Sequence, residues 1–564
     1  MQSVGPSRLP RQRLPDFVLI FMRGFRQTIA EQDAFLAQNR WSIFFKNSFS
    51  VLGRYLFLLL CAGATAWLVY QSYPSVSRHA LAWFALAPFI WGVTKTKGFW
   101  SSFLYGWLTA FLFNAGIFYW IYYTCLHGGG LSQGLSLAAW LGLSGLLAVQ
   151  FALFGGSCYF LKKTGPFFPL LAACGFVTLE WLHQTLAFYG LGFPWIMLGY
   201  TQWNAPEMLQ LAAFTGVYGI SFIVAFTGAS LGWAFATKGV KDGVWHMVAA
   251  AVVFLAAYTY GHYTLPDASQ KRPFKPLLSL STALLQPNID QYKKWSPQYE
   301  AEILQTLQAQ GMALEGKGVR LMVWPESAVP GALTEEPYWT LFKEIAAKTD
   351  AYQFIGSNVE EDGKQYVGAY LLAPQSEELQ SYRKTKLVPF GEYIPLEGLV
   401  RRIFKDVAVL GELGSFTPGA RGQKPLDLGG VAVGETICYE SIYPQLWLSQ
   451  NRQGAKLFIN VTNDAWFFDT AAPYQHLAVN VLRAVETGRP VLRAANTGFS
   501  AVIDPFGRIE KQSRLFTQEI LQASIPLALN EQKNFYTQWG DWFAWLCAAL
   551  FATLLISTVV FSYE

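Results

Sequence analysis

Hydrophobic positions take two forms along this chain. In the first half they make long unbroken runs at 55–70, 79–93, 100–123, 135–161, 167–186, 214–236 and 244–260, and one more run closes the chain at 542–561. A helix needs about 20 apolar residues to cross a bilayer, so eight spans are predicted, the second being the short one. Between 280 and 527 the runs shorten to strings rich in β-branched residues, alternating with amphipathic stretches and separated by Gly, Pro and Asn. That texture predicts one α/β domain. Its expected strands are 281–285, 320–324, 353–357, 368–373, 431–438, 456–461, 490–495 and 500–503, with helices at 297–315, 338–348, 441–452 and 472–486.

Composition agrees with the pattern: 52% of the 564 residues are hydrophobic and only 14% are charged, too apolar for an ordinary soluble chain. Loop charge then orients it, because Lys and Arg stay preferentially on the cytoplasmic side. Arg8, Arg11, Arg13, Arg23, Arg26, Arg40, Lys46 and Arg54 precede the first run, and Lys95, Lys97, Lys162, Lys163, Lys238 and Lys241 follow the second, fourth and sixth. The loops at 126–133 and 187–213 contain neither Lys nor Arg, and the loop after the first run contains only Arg78. Five segments are therefore expected: a basic cytoplasmic arm (1–54), seven spans (55–262), a linker (263–279), an extracytoplasmic domain (280–527), and a linker with a final span (528–564). Both termini are expected in the cytoplasm. The net charge of +5 sits largely in the arm, which suggests anionic lipid headgroups and not nucleic acid.

Chemically capable residues gather where the expected strands end. Cys438 is the only cysteine between Cys174 and Cys547, so it cannot form a disulfide within its own domain and is either an inert buried thiol or a nucleophile. A nucleophilic thiol needs a base, and only His476 lies well inside the domain. A Cys-His arrangement would rest on it alone. The alternative is a carboxylate with a lysine, and Glu326 in Trp324-Pro-Glu and Lys384 in Tyr382-Arg-Lys supply both. No spacing suggests a metal site or a phosphate-binding glycine loop, and no cofactor is expected. Glu180 and His183, costly in hydrocarbon, are candidate headgroup contacts or a mutual pair.

The ordered series Trp-Pro-Glu (Glu326), Tyr-x-Lys-x-x-Leu-Val-Pro-Phe-Gly-Glu (Lys384 and Glu392), Ile-Cys-Tyr-Glu (Cys438 and Glu440) and Asn-Asp-Ala-Trp-Phe (463–467) resembles the nitrilase superfamily with its Glu-Lys-Cys triad. Joined to the spans, and with Gly192-Phe-Pro-Trp-Ile-Met-Leu-Gly-Tyr200 and Gly216-Val-Tyr-Gly-Ile-Ser221 in the membrane half, it resembles the apolipoprotein N-acyltransferase family. The resemblance implies a polytopic α-helical membrane domain carrying an αββα sandwich on the periplasmic side of the bacterial inner membrane. It implies acyl transfer from a phospholipid, typically phosphatidylethanolamine, through a Cys438 thioester to the α-amine of a diacylglyceryl-modified lipoprotein. Glu326 would be the general base, Lys384 the orienting and oxyanion-stabilising cation, Glu392 the support of Lys384, and Glu440 a further carboxylate near the thiol. Tyr439 and Asn358 would be supporting contacts, and Trp466 and Phe467 would line an acyl groove. At Phe468 the sequence departs from the family form, which tends to place glycine there. A monomer is expected. The rival readings are a membrane-tethered amidase that passes the acyl group to water and a transporter or scaffold with an inactive domain.

Overall fold

The computed structural model describes residues 51–237, 240–266, 278–395, 397–398, 402, 416–527 and 533–560. All but the last four residues of the basic arm lie outside the described residues, as do Lys238 and most of the 263–279 linker.

Each apolar run is helical, and the breaks fall where the sequence weakens the helix. Val51–Ser72, Val217–Ala236 and Val240–Thr264 are single helices. The short second run divides into His79–Leu81, Ala82–Ala85 and Ala87–Val93, with Pro88 in the first turn of the last piece, where a missing N–H costs nothing. The third run bends by 54° between Phe99–Ile117 and Trp120–Gly128. Helix is continuous from 133 to 188 except at 162–167, where Gly165 (φ 59°, ψ −123°) leaves helical space. This yields Gln133–Leu161 and Phe168–Phe188, which pack on each other. By length and apolarity alone, four helical runs in the described residues suffice to cross a membrane, or five if the bent pair is one span. Leu59, Leu60, Trp67, Trp100, Leu146, Trp245 and Leu255 point outward from these helices, the arrangement of an apolar surface meeting lipid.

Residues 278–527 fold into two six-stranded sheets. The first has the order β12-β1-β2-β3-β4-β5, from β1 (Leu278–Gln286), β2 (Leu321–Trp324), β3 (Tyr352–Glu361), β4 (Lys364–Leu372), β5 (Leu379–Arg383) and β12 (Glu519–Leu527). The second has the order β11-β10-β9-β8-β7-β6, from β6 (Leu426–Asp427), β7 (Ala432–Ile437), β8 (Leu457–Thr462), β9 (Val491–Ala495), β10 (Ala501–Ile503) and β11 (Ile509–Gln512). The period-2 alternation of a strand sends successive side chains to opposite layers. Thus Ala283, Leu285, Met322 and Trp324 pack with Ile303, Leu307, Phe342 and Ile345 of the helices Glu300–Met312 and Tyr338–Thr349. Leu284, Leu321 and Val323 instead join Val433, Ile459 and Leu492 between the sheets. The helices Pro444–Arg452 and Ala472–Thr487 belong to the second sheet, completing the αββα sandwich.

Four strands lie outside the expected set: β5, β6, β11 and β12. All carry polar or charged side chains and interrupt the alternation that marks a half-buried strand. β12 is recruited by pairing with β1 in register from Leu278↔Leu527 to Gln286↔Glu519, a contact between chain positions too remote for local pattern to reveal.

Candidate active site

The parallel strands of both sheets end at one place, and the side chains there come from β2, β5, β7 and β8. Pro325 ends β2, so Glu326 leaves the sheet edge, and the following Ser327 takes a positive φ of 49°. Gly356 lies directly beneath: a Cβ there would come within 2.6 Å of Glu326 Cα. Cys438 follows β7 with a φ of 49°, a left-handed conformation that costs a non-glycine residue about 1–3 kcal/mol and clusters at functional sites. Lys384 follows β5 and is fully buried.

Sequence distance disappears here. Lys384 Nζ donates to Glu326 Oε1 at 3.1 Å and to Glu392 Oε1 at 2.5 Å, so the cation is clamped between two carboxylates. Glu326 Oε2 accepts from the Asn463 N–H at 2.9 Å, at the end of β8, and Glu392 Oε2 accepts from Val388 N–H at 2.9 Å. Burial works against the Lys384 ammonium, but Glu326 and Glu392 outweigh it and hold its pKa well above the ordinary lysine value. Glu392 is raised by burial, against the pull of Lys384. Burial, then Glu326, pushes the Cys438 thiol up from its usual range, with Lys384 pulling the other way. The resting thiol is therefore protonated at neutral pH, and any attack by it needs a base at the moment of reaction. Alkylation of Cys438 by iodoacetamide, followed by peptide mass spectrometry, is expected to be slow at pH 7 and still climbing above pH 9. A plateau below pH 8 would contradict a raised thiol.

Glu440 acts on the backbone. Oε1 accepts from Thr385 N–H at 2.6 Å and Lys386 N–H at 3.0 Å, Oε2 accepts from Ile437 N–H at 2.9 Å, and Tyr382 Oη donates to both oxygens at 3.0 Å. It thus ties the end of β5, which carries Lys384, to the turn that carries Cys438. Burial pushes it up to about 7 despite these donors. His476 also serves the backbone: Nε2 lies 3.0 Å from the Cys438 carbonyl and 2.9 Å from Ser441 Oγ, and Nδ1 lies 2.9 Å from Asp464 Oδ1. Burial and Arg493 lower its pKa. Asp464 resists burial because Arg493 Nη2 donates to it at 2.6 Å, and its pKa falls to about 2. The ring braces the nucleophile turn, which explains the histidine without a Cys-His dyad.

Tyr439 stacks on Phe193 (5.7 Å, 16°) and Trp195 (6.4 Å, 17°), which belong to the 192–200 segment of the membrane half. Phe467 packs on Trp120 (5.1 Å) and Trp195 (5.8 Å), while Trp466 is 40% exposed beside Gly128. Phe468 takes φ 53° and ψ −162°, a conformation that suits glycine, and its ring meets His127. Asn358 lies on β3, where its backbone bridges Ala332; among the described residues none of its hydrogen bonds reaches the triad. Glu180 and His183 do not pair with each other: Glu180 Oε1 accepts from Leu198 N–H at 2.6 Å, His183 Nε2 accepts from Phe193 N–H at 3.3 Å, and His183 Nδ1 lies 2.7 Å from Gln150 Oε1. Both hold the 192–200 segment against the site.

Sequence reasoning missed Lys294. It is 1% exposed, with Nζ 3.5 Å from the Glu326 carbonyl, and burial pushes its pKa down to about 8. In the sequence it sits beside Lys293, which pairs with Glu302 at the surface, and nothing in that doublet separates the buried lysine from the solvated one. Gln291, which accepts from Asn463 Nδ2 at 2.6 Å, was equally silent.

Two family models match the chain: one described as carbon-nitrogen hydrolase over residues 281–534, and one described as apolipoprotein N-acyltransferase N-terminal domain over 62–230. A protein named apolipoprotein N-acyltransferase from Geobacter metallireducens is 36% identical over 497 residues, covering 85% of this chain and 91% of that one. A protein of the same name from Agrobacterium fabrum is 34% identical over 469 residues, covering 80% and 84%.

Proposed function

The chain belongs to the apolipoprotein N-acyltransferase family, and we propose that Cys438, Glu326 and Lys384 carry out its acyl transfer at a periplasmic face of the bacterial inner membrane. It is an acyltransferase of a bacterial membrane, acting in lipoprotein maturation. The observation that carries the residue assignment is the clamp of Lys384 between Glu326 and Glu392, beside a cysteine in left-handed conformation.

In the first half-reaction Glu326 takes the Sγ proton as the sulfur attacks the sn-1 ester carbonyl of a phospholipid such as phosphatidylethanolamine. Lys384 stabilises the tetrahedral oxyanion. Collapse breaks the C–O bond, the departing lysophospholipid oxygen takes the proton from Glu326, and a thioester remains on Cys438. In the second half the α-amine of the diacylglyceryl-cysteine attacks the thioester, Glu326 accepts its proton, and collapse to the amide returns that proton to the sulfur. Glu392 keeps the Lys384 amine in place through both halves. Phe467 and the stacked Tyr439, Phe193 and Trp195 offer apolar surface for the acyl chain and limit water that would hydrolyse the thioester. Eight crossings, with both termini in the cytoplasm, fit this orientation and the loop charge.

A diacylated lipopeptide incubated with acyl-labelled phosphatidylethanolamine and the enzyme tests the acceptor. N-acylated peptide together with lysophospholipid is the expected outcome. Labelled free fatty acid as the sole product would favour an amidase-like hydrolase.

A further inference from the structure

Two cations lie against one ring at the end of the helix Phe168–Phe188, and among the described residues no carboxylate pairs with either. Lys386, two residues beyond Lys384, is half-buried; its amine donates to the Phe188 carbonyl and lies 4.0 Å from the centre of the Phe188 ring. Arg421 reaches the same ring from another loop, its guanidinium carbon 5.0 Å from the Phe188 centroid and 5.2 Å from that of Tyr189. Among the described residues neither cation makes an ion pair. Glu440, whose field reaches Lys386, spends its oxygens on backbone N–H groups and Tyr382. Burial, then Arg421, pushes the Lys386 amine down to about 8 against the opposing field of Glu440.

The surroundings identify the missing anion. Tyr189 and Leu191, 65% and 69% exposed, follow the helix and give the site an apolar, aromatic rim of the kind found at headgroup depth. The Lys386 N–H is bonded to Glu440, and the Phe188 ring packs on Tyr443 at 5.8 Å, so the cations border the turn that carries Cys438. Of the two substrates, the acyl acceptor brings an amine to this turn, which two cations repel. The donor brings a phosphodiester one glycerol unit from its reacting ester, and guanidinium and ammonium are the groups that bind phosphate.

We propose that Lys386 and Arg421 form the binding site for the phosphodiester of the phospholipid donor, and so set the selectivity for phospholipid over neutral esters. This rests on Cys438 being the acylated residue. The alternative is purely structural: Lys386 caps the helix carbonyls and Arg421 packs on the Phe188 and Tyr189 rings.

The test compares two donors in the full-length enzyme by the rate at which Cys438 gains an acyl group. Dipalmitoylphosphatidylethanolamine carries the phosphodiester, and p-nitrophenyl palmitate has none. In Lys386→Met/Arg421→Gln the ratio of the phospholipid rate to the neutral-ester rate is expected to fall about 100-fold, roughly tenfold per lost cation, and Lys386→Arg with Arg421 intact should restore most of it. An unchanged ratio, whether both rates fall together or neither does, overturns the proposal and leaves Lys386 as a helix cap. Wild-type enzyme acylated by neither donor overturns the Cys438 assignment instead.

Discussion

Cys438→Ala is expected to abolish transfer, by at least about 10⁴-fold in kcat, because the whole two-step path runs through this sulfur and losing the nucleophile of such a unit costs as much as losing the unit. The folded state is expected to survive. The side chain is small, and the turn that carries it is held by Glu440 through Ile437 N–H and by His476 at the Cys438 carbonyl, contacts that alanine leaves in place. Thermal unfolding in detergent should therefore shift little while lysophospholipid release disappears. A variant that retained a tenth of wild-type transfer would mean that the acyl group passes directly from phospholipid to amine.

Lys384→Met is expected to fail in both respects. The ammonium is fully buried between Glu326 at 3.1 Å and Glu392 at 2.5 Å. Removing it leaves two buried carboxylates facing each other with no cation, which costs about 3–5 kcal/mol when one partner of a buried pair is lost. Transfer should fall beneath detection, since both the oxyanion stabiliser and the group that positions Glu326 have gone. The double variant Lys384→Met/Glu392→Gln separates the two effects: part of the stability should return, because one buried charge has been neutralised, while activity stays absent. Recovery of activity in the double variant would show that Lys384 only offsets the charge of Glu392.

How much of this was legible in the sequence depended on how local the cause was. Apolar runs marked the long helices of the membrane half, because burial in lipid demands continuous hydrophobicity, but not the short helices Leu198–Gln202 and Pro206–Leu209 within the 187–213 loop. The break at 162–167 was marked by Lys162 and Lys163 between two runs, whereas the 54° bend between Ile117 and Trp120 falls inside one unbroken run and left no such mark. In the sandwich, β1, β2, β7, β8 and β9 could be read from their apolar strings, whereas β5 and β12 could not. β5 matters most, since it delivers Lys384, yet Leu-Gln-Ser-Tyr-Arg carries little hydrophobic pattern and is fixed by pairing with β4. Within the site, Glu326, Lys384, Glu392 and Cys438 were findable from ordered motifs, and the structure brings the first three into direct contact. Motif reading placed Glu440 as a carboxylate near the thiol but could not show that its oxygens tie two backbone turns together. Lys294, Asn463 N–H and the Asp464–His476–Arg493 group become visible only when β8 and the turn after β1 are brought together, because burial and backbone donors leave no mark on residue type.

In the proposed mechanism an acyl group rests on Cys438 between two half-reactions. Intact-protein mass spectrometry after incubation with dipalmitoylphosphatidylethanolamine, in the absence of lipopeptide, tests it most directly. An adduct of one palmitoyl group, mapped to the peptide containing Cys438 and lost on adding a diacylated lipopeptide, is the expected result. Unmodified Cys438 in enzyme that still forms N-acylated lipopeptide when both substrates are present would contradict it.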